Sequence, residues 1–132
     1  MSTPDFPHLL GGQALRVNRV PMDHEPVAPS QAADETTTTA LVELGTLAGT
    51  EFGIWEMAAG SMYDVEAEEI FVVTAGHGTV VIAPFEGHPA RTADLVPGTI
   101  MRLSAGMQTT WTVTEPLRKI YFTPTHTTGS NP

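Results

Sequence analysis

Residues 69–83 read EIFVVTAGHGTVVIA. Two β-branched runs, Glu69 to Thr74 and Gly78 to Ala83, flank Ala75-Gly76-His77. Side chains branched at Cβ crowd a helix and suit a pleated strand. Each run therefore reads as a strand, and the glycine-centred triplet as the turn of a hairpin. The same pattern extends in both directions. Upstream lie short strands at Leu41-Val42-Leu44 and at Phe52-Ile54-Trp55, the latter stopped by Ala58-Ala59-Gly60, with Ala14 to Val20 alternating as a further short strand. Downstream, strands at Ala90 to Leu95, Thr99 to Leu103, Thr109 to Val113 and Leu117 to Thr123 are separated by Pro84 to Pro89, Val96-Pro97-Gly98, Ser104-Ala105-Gly106 and Thr114 to Pro116. Turn signals recur about every 8 to 12 residues, and no stretch holds the 3.6-residue apolar period of a helix, so the chain is all-β, a barrel or a sandwich.

Composition narrows the function classes. A chain of 132 residues that is 41% apolar supports one folded domain. Its segments read as a flexible N-terminal arm with one short strand (1–38), a β domain (39–123) and a polar C-terminal tail (124–132). A net charge of −9 argues against a phosphate-binding face, so no nucleic-acid partner is expected. The absence of cysteine removes disulfides, thiolate nucleophiles and thiolate-ligated metals. No run approaches the roughly 18 apolar residues of a membrane span, and no basic, apolar leader opens the sequence; the expectation is a cytoplasmic protein without a membrane partner.

Two longer patterns carry a family resemblance. Residues 60–76, GSMYDVEAEEIFVVTAG, and 98–111, GTIMRLSAGMQTTW, resemble the two motifs of the cupin superfamily. Glu69 matches the first-motif glutamate, six residues before the closing Gly76, and Gly98 and Gly106 match second-motif glycines, with Ser104 where the proline would stand. Gly53, Trp55, Glu56 and Gly60, then Glu68, Glu69, Val73 and Gly76, then Gly106 and Trp111, and finally Arg118, Lys119 and Tyr121 resemble the subgroup of ureidoglycine aminohydrolase-like and ethanolamine-utilisation-like cupins. The resemblance spans roughly 44–123. It implies a single small cupin-type β-barrel (jelly roll) over 39–123, commonly paired as a homodimer, enclosing a small-molecule ligand. Of the metal shell that it implies, three histidines and a glutamate, only Glu69 is retained. The first-motif histidines fall within Met62 to Val65, the second-motif histidine on Thr109, and His8, His24, His77, His88 and His126 are scattered. No metal in a three-histidine shell and no cofactor are expected.

Strand parity nominates a site. If Glu69 faces the interior, Phe71 and Val73 face it too; Thr109, Trp111 and Val113 form a second such row. A carboxylate among apolar neighbours loses solvation, its pKa rises, and it becomes a proton carrier. Tyr63 is a candidate proton donor beside the acidic stretch Asp64, Glu66, Glu68 and Glu69, in which Asp64 and Glu66 share parity. Glu56 shares parity with Phe52 and Ile54, which favours it over Trp55 for the inner face. Arg102, with Ile100 and Ser104, is a candidate inward cation for a carboxylate or an anionic substrate. The catalytic candidates are thus Glu69, Tyr63, Glu56 and Arg102; the substrate-binding candidates are Trp111, Thr109, Phe71, Trp55 and Asp64. They suit acid/base chemistry, a lyase, isomerase or hydrolase on a small polar metabolite. The alternatives are a non-catalytic ligand-binding or accessory cupin, and an enzyme holding a divalent ion through carboxylates.

Overall fold

The protein is described here by a computed structural model covering residues 8–34 and 36–125. After a 3₁₀ turn at Val17–Arg19 come eight strands: β1 (Glu25–Pro26), β2 (Thr38–Leu47), β3 (Thr50–Met57), β4 (Gly60–Val65), β5 (Glu69–Ile82), β6 (Arg91–Leu95), β7 (Ile100–Leu103) and β8 (Gln108–Pro124). All pairings are antiparallel. The order is β1-β2-β3-β8-β5-β6, with β4 also on β8 and β7 also on β5. The two long strands each serve two neighbours in succession. The first part of β8, Gln108 to Val113, pairs with β4, and its last part, Leu117 to Pro124, pairs with β3. In β5, Glu69 to Val72 pairs with β7 and Gly78 to Ile82 with β6.

The expected hairpin at 75–77 does not form. Residues 69–82 are one strand that runs beside β8 with register shifts between Val73 and Gly78. Gly76 sits at φ +90°, and a Cβ there would overlap the carbonyl oxygen of Pro116. The glycine serves a bulge, where a strand bends against its neighbour, and not a turn. The break expected at Thr114 to Pro116 is the facing part of the same irregularity, and β8 continues through it. Ala14 to Val20 forms no strand either; it contributes the 3₁₀ turn instead. Conversely, β4 arises in the acidic stretch, where the sequence offers few β-branched residues.

The β-barrel, or jelly roll, is also corrected. The strands make one open sheet whose main path ends on β1 and β6, with β4 and β7 as further edges, and among the described residues no strand pairing joins any of these edges into a closed ring. β1 is two residues long and one is Pro26, which has no N–H to extend a ladder. β6 is mostly exposed and begins with Arg91, a charged edge that resists further pairing.

Both faces of the sheet carry apolar side chains. One face gathers Phe71, Val73, Val80, Leu103, Trp111 and Leu117, among others, into the larger cluster. On the other, Val42, Leu44 and Ile54 are covered by the N-terminal segment through Val20, with Leu9, Leu15, Val17 and Met22 packed around them. Each such side chain removed from water contributes about 1.5–3 kcal/mol. The segment is further tied down by polar contacts. Arg118 donates from Nη1 to the carbonyls of Val17 (2.6 Å) and Val20 (2.8 Å). Asp34 accepts from the Ser61 amide at 2.9 Å. That bond, with those from Thr36 and Thr37, holds the Asp34 carboxyl at about 2. Among the described residues no helix is long and apolar enough to cross a membrane.

Candidate functional site

The ionisable groups of the larger-cluster face come together because paired strands put facing residues on the same side. Glu51 faces Thr123, Gly53 faces Tyr121, and Trp55 faces Lys119 across β3 and β8. Phe71 and Val73 face Tyr121 and Lys119 in turn from β5. β4 adds Asp64, opposite Thr109 of β8. These rows, with Glu66 just past β4, surround a cavity of about 320 Å³ lined by Glu51, Asp64, Glu66, Glu69, Lys119 and Tyr121, with Leu41, Trp55, Val65 and Trp111 as apolar wall.

Lys119 is the central cation. Its side chain is 5% exposed, and its Nζ lies 2.7 Å from Glu69 Oε2. The approach is off the line of a hydrogen bond, so that buried oxygen has a charge partner but no hydrogen-bond donor among the described residues. The ammonium also lies 4.6 Å from the Trp55 ring centroid, 4.1 Å from Phe71 and 4.7 Å from Trp111. Ring faces carry negative charge density and attract a cation, so three aromatics and one carboxylate together offset much of its lost hydration.

Glu66 is the most buried acid among the described residues, 8% exposed. Its Oε2 accepts from Thr109 Oγ1 at 2.6 Å and from Trp111 Nε1 at 3.1 Å. Burial pushes its pKa up and Asp64 nearby adds to the rise, against the pull of the Thr109 bond and of the Lys119 charge. Its other oxygen, Oε1, takes no hydrogen bond among the described residues and is not sealed from solvent, and the residue lines the cavity. Tyr121 donates to Glu51 Oε2 at 2.8 Å, and burial with that bond raises its pKa, which keeps the phenol protonated. Gly53 makes this possible, because a Cβ there would meet Tyr121 Oη at 2.7 Å.

Of the residues nominated from the sequence, Glu69, Phe71, Thr109, Trp111, Trp55 and Asp64 thus lie in or against one cluster. The other three lie elsewhere. Tyr63 is 50% exposed. It lines a larger neighbouring groove of about 570 Å³, with Gln108, Thr110 and Val81, that shares only Asp64 and Val65 with the cavity. The Arg102 side chain is 68% exposed and pairs outward with Glu68 at 2.7 Å. Met101 and Leu103, of the opposite parity, face the core. Glu56 occupies the other face, beneath the N-terminal segment. Arg118 Nε donates to its Oε2 at 2.9 Å, and His24 Nε2 lies 2.7 Å from its Oε1. Burial raises the Glu56 pKa, but Arg118 and His24 outweigh it and the net shift is downward. Glu56 thus shares a covered face with Ile54, but it is the face beneath the N-terminal segment, and Trp55 is the one that reaches Trp111, with ring centroids 5.5 Å apart.

Glu66, Lys119, Tyr121 and Glu51 were not nominated. The Glu66 signal was present, since it shares parity with Asp64. Lys119 alternates with Leu117 and Tyr121, but Arg118 alternates with Ile120 and Phe122, and two apolar rows give no basis for choosing a face.

A cupin metal shell does not fit this cavity. The first-motif histidine region holds Met62, Tyr63, Asp64 and Val65, and the second-motif position holds Thr109. His77 lies 3.3 Å from Asp94, and His24 is on the opposite face with Glu56; His126 lies outside the described residues. Among the described residues no three His, Asp or Glu side chains gather to hold an ion. The cation beside Glu69 is the chain's own ammonium.

Solved structures share the fold. The Clostridium difficile EutQ protein matches with a TM-score of 0.57 and 21% identity over 70% of this chain and 66% of its own. A putative ethanolamine utilization protein Q from Salmonella typhimurium LT2 matches with 0.52 and 19%, over 65% and 68%. A structure of DMSP lyases matches with 0.55 and 14%, over 70% and 50%. The chain thus spans no more than about two thirds of the length of these proteins, and at such identities the likeness is one of fold. No curated protein matches. The model of the EutQ-like cupin domain matches residues 44–121, more than half of the chain and the stretch that holds every ionisable group of the cavity, and the protein therefore belongs to the EutQ-like cupins.

Proposed function

We propose that the cavity between β3, β4, β5 and β8 is a small-molecule site, and that it moves protons on a small polar metabolite as a lyase, isomerase or hydrolase. The observation that carries this reading is Glu66. One of its oxygens is fixed by Thr109 and Trp111, the other is left to the cavity, and its pKa is shifted up toward neutral pH. A carboxyl so held is suited to act as general acid or base. In this reading Glu66 exchanges the proton. Glu69 holds the Lys119 ammonium in place, where its charge stabilises negative charge that develops on the substrate. Tyr121, kept protonated, donates a hydrogen bond, and Trp55 and Trp111 exclude water. No step runs through a metal. That one structure of similar fold is of DMSP lyases agrees with a lyase among these classes.

The chain has two tryptophans, so nitrogen-edited NMR reads the cavity through two indole signals. A panel of amines, amino acids, amides, hydroxy acids and sugars is screened for compounds that shift them, and each hit is followed for conversion. The expected result is conversion of at least one hit, with Glu66→Gln lowering kcat by about 100-fold or more. Hits without conversion would leave a binding protein; no hit at all would remove the site. The binding reading draws on the Lys119–Glu69 pair, which also makes sense as a purely structural contact.

We further propose that the chain pairs as a homodimer through the outer face near β7, where Ile70, Ile100 and Phe122 are exposed. Light scattering should give twice 14.1 kDa, and a monomer mass at micromolar concentration would overturn this.

A further inference from the structure

We propose that the ligand of this cavity carries a primary ammonium group, seated against Glu66 Oε1. The inference rests on the small-molecule site proposed above and adds the chemical class of its occupant. Three observations support it. The first is the open acceptor of Glu66: the residue is 8% exposed and lines the cavity, and only one of its two carboxylate oxygens accepts a hydrogen bond among the described residues. Oε1 takes no hydrogen bond and is not sealed from solvent, so it is an acceptor that a ligand N–H can reach and fill.

The second is the charge balance. Four carboxylates line the cavity, those of Glu51, Asp64, Glu66 and Glu69, against one ammonium, Lys119, which is spent on Glu69. Among the described residues Glu51 and Asp64 receive only neutral donors: Glu51 the Tyr121 hydroxyl at 2.8 Å, and Asp64 the Gln31 side-chain amide at 3.1 Å and the Val65 backbone amide at 2.8 Å. An anionic ligand would meet an excess of negative charge, and a cationic one would complete it.

The third is the wall. The ring faces that would cradle a quaternary ammonium are already turned to Lys119. What remains for a ligand's charged end is hydrogen bonding to carboxylate oxygen, which demands N–H donors. Leu41, Val65, Trp55 and Trp111 leave an apolar lining for a short carbon chain, and about 320 Å³ is the scale of a small metabolite.

The test compares three probes of one skeleton, n-butylammonium, n-butanol and butyrate, by calorimetry and by the two indole signals. Butylammonium should bind at least tenfold more tightly than the other two, shift the Trp111 indole, and weaken at least tenfold in Glu66→Gln. On the unaltered protein, saturating butylammonium should also lower the pH at which the Glu66 carboxyl titrates by carbon-detected NMR, while butanol leaves it in place. This second measurement does not depend on the variant folding. Equal or reversed affinities, or no downward movement of the Glu66 titration, would overturn the ammonium. If butanol or butyrate binds and shifts the indoles while butylammonium does not, the cavity stands and only its ligand class fails. If no probe and no compound of the wider panel touches either indole, both fall.

Discussion

Two acids in the same cavity have different fates because only one has a cation. Glu69, beside Lys119, keeps a charge partner; Glu66 has hydroxyl and indole donors and no cation in contact. Substituting Glu69→Gln leaves the Lys119 ammonium buried without its counter-charge, which should cost about 3 kcal/mol of stability in urea unfolding. Lys119→Met in the same background should restore much of that loss, because the unpaired charge goes with it; a double variant no more stable than Glu69→Gln would show that the pair is not what holds Lys119. For Glu66 the linkage has the opposite sense to a salt-bridged acid. Its folded pKa lies above the ordinary 4.5, so the folded state holds the proton more tightly than the unfolded chain. Its contribution is therefore most favourable below pH 4.5 and is lost as pH rises through the folded pKa. Thermal melts against pH should show the unaltered protein losing stability relative to Glu66→Gln across that rise. A constant difference between the two would contradict the assigned shift. Glu56 works the other way: its folded pKa is lowered, and its contribution, present above 4.5, is lost as pH falls through the folded value.

At the scale of the elements, the site depends on β5 and β8 staying paired through their shared irregularity. Gly76 allows this, having positive φ and no Cβ to strike Pro116. Gly76→Ala should cost about 3 kcal/mol or more by adding backbone strain and a backbone clash. If urea unfolding shows a loss below about 1 kcal/mol, the bulge is not as tight as described. The glycine-rich triplet at 75–77 was legible as a place where the backbone does something unusual. Whether it reverses or only bends was not, since a turn and a bulge draw on the same residues. The strands themselves at 41–44, 52–55, 91–95 and 100–103 were legible because alternation or β-branching marks them. β4 was not, because its identity comes from pairing with β8 rather than from its own composition.

At the scale of the molecule, the N-terminal segment is part of the packing on the second face. Arg118 bridges Glu56 to the carbonyls of Val17 and Val20, so one guanidinium ties β3, β8 and the segment together. Arg118→Ala should leave a half-buried carboxylate and two carbonyls without their donor. The expected loss is about 3 kcal/mol, with increased binding of an apolar dye as the cover over Ile54 loosens. Unchanged stability and no dye binding would mean that the apolar contacts of Leu9, Leu15 and Met22 suffice alone.

Three things are readable from residue order alone: the chain is all-β, its glycines and Glu69 relate it to the cupins, and the histidines of a cupin metal shell are not at their places. These follow from local pattern: period-two alternation, turn residues, and residue identity at a motif position. The open sheet, the meeting of Glu69 with Lys119 across β5 and β8, the burial that perturbs Glu66 and the place of Glu56 on the opposite face all come from how the strands assemble. Alternation tells which residues share a face but not what covers that face. Here both faces of β3 and β8 are covered, one by the larger cluster and one by the N-terminal segment, so the apolar signal along each strand was the same on both sides and the choice between them lay in residues far away in the chain.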